Sequence, residues 1–153
     1  MALTMLIMIG CNKKEDNELM NDEIVNSEIE DTVITLSSLI HKTDKEVINE
    51  LGEGKGISYQ TSDGQYSREY SLFIEGEEVT TTVVFEDSLV SGIYTYLPDL
   101  DLNKWEKMLT SKFGYPTKLL TSSNDNIQTV RWKVDTNIVT LLCVKNSLSI
   151  QIE

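Results

Sequence analysis

The chain has 153 residues, 40% of them hydrophobic and 25% charged, which suits one globular core and excludes a wholly disordered protein. Its net charge is -12, from 13 basic and 25 acidic residues. No basic stripe is present to displace phosphate counterions, so nucleic acid is excluded as a partner.

Taken in chain order, residues 2–9 are apolar apart from Thr4, and Gly10 and Cys11 end the run. A buried helix would continue its apolar stripe past this point, and a membrane span would be longer. Residues 12–31 then hold eight acids against two lysines, a net of -6. With so little apolar periodicity, this stretch reads as an acidic flexible tether. The junction Met8-Ile9-Gly10-Cys11 resembles the lipobox that closes a bacterial lipoprotein signal peptide. No Lys or Arg precedes the short apolar run, and a few residues upstream would supply both the charge and the length. The resemblance implies that residues 1–10 are removed and that Cys11 is lipidated. It places the protein on the extracytoplasmic face of a bacterial cell membrane, held by a lipid anchor. Two acyl chains satisfy the two-signal requirement for stable anchoring. A tether of this length reaches about 25 Å from the surface.

The folded part is expected over residues 32–153, as two α+β units spanning 32–97 and 98–153. A short helix is expected over Val33–Ile40. "TDKEVINELG" then opens with Thr43 and Glu46 in capping-box spacing and closes on Gly52. "NKWEKMLTSKFG" opens with Asn103 and Glu106 and closes on Gly114, with Pro116 preventing continuation. Val47, Ile48 and Leu51 form one apolar stripe; Trp105, Met108, Leu109 and Phe113 form the other.

Strands are expected near 57–62, 66–75, 78–86 and 90–97, then 117–121, 127–134, 137–145 and 147–152. The short polar connections between them suit antiparallel hairpins. An ungapped alignment at an offset of 59 sets Thr81 on Thr140, Leu89 on Leu148 and Phe73 on Trp132. The expected fold class is therefore α+β: two tandem helix-plus-strand repeats with the helices on one face of an antiparallel sheet. A helix ending "LG" or "FGYP", followed by hairpin strands and repeated once, resembles the β-lactamase inhibitor protein-like fold. SmpA-type outer-membrane lipoproteins share that fold in single-repeat form. The resemblance implies protein binding and no catalysis.

Candidates for chemistry are few. His41 is the only histidine and sits beside a helix cap, outside any G-x-S-x-G context. One histidine and one further cysteine, Cys143, make no zinc set, so neither a metal nor another cofactor is expected. Cys143 reads as a small buried hydrophobe. "DLDLN" lacks the glycine and glutamate of a calcium loop. "GEGKG" lacks the Ser or Thr of a phosphate loop.

The aromatic pattern is the remaining signal. Tyr66 and Tyr70 flank Arg68 on one strand face, and Tyr94 and Tyr96 share a face of theirs. If Leu89 and Ile93 point to the helices, Tyr94 and Tyr96 point to the open face, and these five residues form the candidate binding surface. The expected function is a non-enzymatic, membrane-anchored module that binds a protein or an envelope component. Two alternatives stand beside it: an immunity or inhibitor protein against a secreted toxin or hydrolase, and a small hydrolase with acidic catalytic residues.

Overall fold

The structure, a computed structural model, describes residues 29, 31–57, 65–74, 76–122 (118–122 by backbone alone) and 127–153. Among these, three helices cover one face of a single antiparallel sheet, an α+β fold. Helix α1 takes in residues 29 and 31–37, α2 is Asp44–Leu51, and α3 is Leu102–Phe113. The strands are β1 (Lys55–Ile57), β2 (Tyr66–Ile74), β3 (Glu77–Glu86), β4 (Leu89–Tyr96), β5 (Lys118–Ser122), β6 (Ile127–Val134), β7 (Asn137–Val144) and β8 (Ser147–Ile152). Their order in the eight-stranded sheet is β1-β2-β3-β4-β8-β7-β6-β5, so β1–β4 and β5–β8 meet where β4 pairs with β8. None of the described helices is long and apolar enough to cross a membrane.

Local chemistry explains these boundaries. Thr43 caps α2 as a full capping box: its backbone N–H donates to Glu46 Oε2 at 2.8 Å, and the Glu46 N–H donates back to Thr43 Oγ1 at 3.4 Å. The cap of α3 is Asp101, whose carboxylate accepts from the Lys104 N–H at 3.1 Å, two residues before the expected Asn103. Here the carboxylate reaches the free N–H groups of the first turn and suits the positive end of the helix. The turn between β3 and β4 is Asp87-Ser88, with φ of 51° and 69° at its two centres. That pattern matches the twist of the paired strands. Helix α1 starts before the expected Val33 and ends at residue 37. Of the strand expected over 57–62, Ile57 ends β1, and 58–62 lie outside the described residues.

One apolar cluster fills the space between the helices and the sheet. It takes Ile29, Val33 and Leu36 from α1, Val47 from α2, and Trp105, Met108 and Leu109 from α3. The sheet contributes alternate residues such as Val79, Val83, Ile93, Trp132, Leu141 and Ile150. Trp105 and Trp132 are wholly buried, and each indole N–H is used. Trp105 Nε1 donates to Asp99 Oδ1 at 2.7 Å, and Trp132 Nε1 to the Gly114 carbonyl at 3.1 Å. Asn137 Nδ2 donates to the Ser37 carbonyl at 2.8 Å, fastening the β6–β7 hairpin to α1.

The register corrects the residue pairing expected between the halves. Thr81 faces the helices and hydrogen-bonds Thr95 at 2.9 Å, whereas Thr140 pairs with Gln151 and Arg131 on the other face. Phe73 pairs with Glu78 and is 60% exposed; Trp132 pairs with Val139 in the core. The residues facing the helices are odd-numbered on both β3 and β7 and even-numbered on both β2 and β6, so the odd offset of 59 sets core residues on surface ones. A register shift at Val84/Phe85 adds a residue on β4. Leu89 therefore lies on the open face, 41% exposed, while Val90 and Ile93 face the helices.

Candidate functional site

With the helices on one side, the opposite face of the sheet carries no described helix. Its central strand is β4, and there the alternation that sends Ile93 and Thr95 inward sends Tyr94 and Tyr96 outward. Tyr94 lies beside Thr82 on one side and Gln151 on the other; Tyr96 lies beside Ser149. One row along, Gly92 is next to Val84, and Val84 is next to Ser67. Glycine at 92 makes room for the tyrosine: a Cβ there would sit 3.3 Å from the Tyr94 hydroxyl oxygen. The Tyr94 side chain thus leans back over the Gly92 backbone.

This arrangement frames an open-mouthed cavity of about 310 Å3, lined by Gln65, Ser67, Thr82, Val84, Tyr94 and Tyr96, with a contribution from Tyr66. The lining residues carry no formal charge. Ser67 is 1% exposed, and its hydroxyl has no hydrogen-bond partner among the described residues. A buried hydroxyl left unpaired costs about 1–3 kcal/mol, so in a cavity wall it is a group that a ligand could satisfy. Burial, aided by the nearby Glu153 carboxylate, pushes the Tyr94 phenol above its ordinary range. The phenol therefore stays protonated at neutral pH and both donates and accepts hydrogen bonds. Tyr96 is 54% exposed and presents aromatic surface at the rim.

The five residues singled out in the sequence divide between the two faces. Tyr94 and Tyr96 are on the open one. Tyr66 stacks on Phe85 on the helix side, at 4.6 Å between ring centroids and 3° between planes, and also reaches the cavity lining. Arg68 points to the helices, where it grips Asp44 with a bidentate fork: Nε donates to Oδ1, and Nη2 to Oδ2 at 2.8 Å. Its Nη1 donates to the Glu53 carbonyl at 2.9 Å. Hydrogen bonding to Asp44 raises the Arg68 pKa further above its already high range. Tyr70 is 5% exposed beneath the turn at Gly54, where a Cβ would come within 2.6 Å of its ring. Gly54 also has φ of 57°, so glycine suits the position twice over. Arg68 and Tyr70 thus belong to the packing of the first half and lie apart from the cavity.

Ser67, Thr82 and Gln65 were missed. Once Tyr66 and Arg68 are assigned to one face, alternation sends Ser67 to the other, and a glycine inside the aromatic strand at 92 signals a close approach. Cys11 and its flanking segment lie outside the described residues. Cys143 is partly buried against the core, as expected of a small hydrophobe. His41 is exposed, with φ of 67°, and its N–H donates to the Val90 carbonyl.

No protein-family model matches the chain, and comparison with curated proteins finds no match. Among solved structures, the chain is similar to a DUF4309 family protein (YjgB) from Bacillus subtilis subsp. subtilis str. 168. The two share 10% identity over 74% of this chain and 80% of that one, with a TM-score of 0.48.

Proposed function

We propose that this protein is a binding module, tethered through Cys11 to the extracytoplasmic face of a bacterial membrane, that recognises an envelope component with its open sheet face. The observation that carries the reading is the cavity beside Tyr94 and Tyr96, with the Ser67 hydroxyl, unpartnered among the described residues, in its wall. Its lining offers hydroxyls, an amide and aromatic surface, a set suited to recognition. The lipobox-like junction and the acidic segment after it support the anchor. A tandem duplication fits the element order, since α2 precedes β1–β4 and α3 precedes β5–β8.

Two experiments test the parts separately. Intact mass from the membrane fraction is expected to show a species starting at Cys11 with acyl mass added, and Cys11→Ser is expected to abolish it. A species that keeps Met1 and carries no lipid removes the anchor. A photo-crosslinking residue at Tyr96 is expected to capture the ligand, and one at the exposed Lys45 on α2 is not. Capture from Lys45 alone would move recognition to the helix face.

A further inference from the structure

We infer that the cavity on β2–β4 is a saccharide site that takes a neutral, polyhydroxylated ring at Tyr94 and Tyr96. This deepens the reading above and rests on it. Four classes of ligand can be weighed against the lining.

An anion finds no counter-ion among the described lining residues, and the net charge of -12 repels it before it arrives. A purely apolar group would shut the part-exposed hydroxyls of Thr82 and Tyr94 off from water and give Ser67 nothing in return. An extended peptide pairs with a sheet edge through backbone groups. Here the cavity lies on the face of β2, β3 and β4, whose backbone N–H and C=O groups are already used by neighbouring strands. Only side chains remain to be read.

A sugar ring meets each condition. Its hydroxyls donate and accept in turn, matching three protein hydroxyls and the Gln65 amide. Its C–H face is apolar and flat and lies well against an aromatic side chain, a role open to the half-exposed Tyr96. The cavity, at about 310 Å3, is at the small end of ligand sites, with room for one ring of a saccharide whose neighbours continue past the open mouth. Ser67, 1% exposed, would be the group that reads a ring hydroxyl at depth, and Tyr96 the platform at the rim.

The test is a titration of the full chain with chitotriose, maltotriose and cellotriose, and with trigalacturonate as the anionic counterpart. Saturation-transfer NMR reads the ligand, and amide shifts read the protein. A neutral trisaccharide is expected to receive saturation at its ring protons, with amide shifts confined to residues 65–67, 82–84 and 92–96. Tyr96→Ala is expected to weaken binding at least about tenfold, and Ser67→Ala about fivefold to tenfold. Because Ser67→Ala removes a buried hydroxyl with no partner among the described residues, the melting temperature is expected to hold or rise while affinity falls. A merely structural serine would give no such split, so unchanged affinity in that variant overturns the assignment. So does preference for trigalacturonate, or no saturation transfer from any neutral saccharide at millimolar concentration. If the sugars fail while the Tyr96 crosslinker still captures a partner, the binding face stands and the saccharide class falls. If shifts map to the helix side, both readings fall.

Discussion

The two halves of the sheet carry the same order of elements, yet each is held to its helix by a different force. In the first half, α2 has eight residues, of which only Val47 is fully buried. Arg68 on β2 compensates by forking onto Asp44 at the helix start and bonding the Glu53 carbonyl beyond its end. In the second half, α3 has twelve residues and buries Trp105, Met108 and Leu109 against a sheet face that carries Trp132. The comparison teaches that one layout tolerates either a directional charged clamp or a large apolar area. The clamp depends on geometry at one point. The apolar area spreads its contribution over many contacts.

Trp132→Ala breaks the apolar half, and the largest loss is expected there. Removing a wholly buried indole costs about 3–5 kcal/mol, because transfer energy and cavity formation add. Urea unfolding should show the midpoint falling with little salt dependence.

Arg68→Ala is next. The pair is part-buried, with side chains 19% and 29% exposed, between the cases of a surface bridge and a dry one. A loss of about 2 kcal/mol is expected, since Asp44 is left half-buried without its partner. A double-mutant cycle with Asp44→Ala should give a coupling of about 1 kcal/mol that shrinks at high salt. Equal salt sensitivity in the Trp132 and Arg68 variants would erase the distinction between the halves.

Local signals in the sequence carried most of this fold. Thr43 and Glu46 stand three apart, so the α2 cap could be read from spacing, and "DTN" and "EGEE" marked hairpins because each is a short polar break, with a residue that tolerates positive φ, between two alternating segments. Signals that depend on distant partners did not carry. Arg68 looks like a surface residue until Asp44, 24 positions earlier, arrives beside it. The match of Thr81 to Thr140 fails because identity is blind to strand phase: the residues facing the helices are odd-numbered on both β3 and β7, and an odd offset sets one face on the other. The tyrosine cavity was half legible. Tyr94, Tyr96 and the outward side of Ser67 follow from alternation, but the position of Ser67 beside Val84 needs the register of β2 on β3, which turn lengths fix and composition does not.

The smallest expected effect tests whether charge also matters in the second half. Before α3, Asp99 accepts from Lys104 Nζ at 3.0 Å and from Trp105 Nε1 at 2.7 Å, and Lys104 lies 4.9 Å from the centre of the Trp105 ring. Burial pushes the Asp99 carboxyl up, but these hydrogen bonds together outweigh it and hold the group below its ordinary value. A carboxyl depressed by folding stabilises the folded state at every pH above its unfolded value, about 3.9, and loses that contribution as pH falls through the lower folded value. Asp99 is 40% exposed, so screening by solvent limits the contribution to about 0.5 kcal/mol. Asp99→Asn keeps an acceptor for the indole while removing the titration. Its stability should differ from that of the parent at neutral pH and converge with it in acid, below the folded value. A constant gap across the whole range would mean that Asp99 acts through the shape of its contact with Trp105, and the second half would then owe its helix to apolar burial alone.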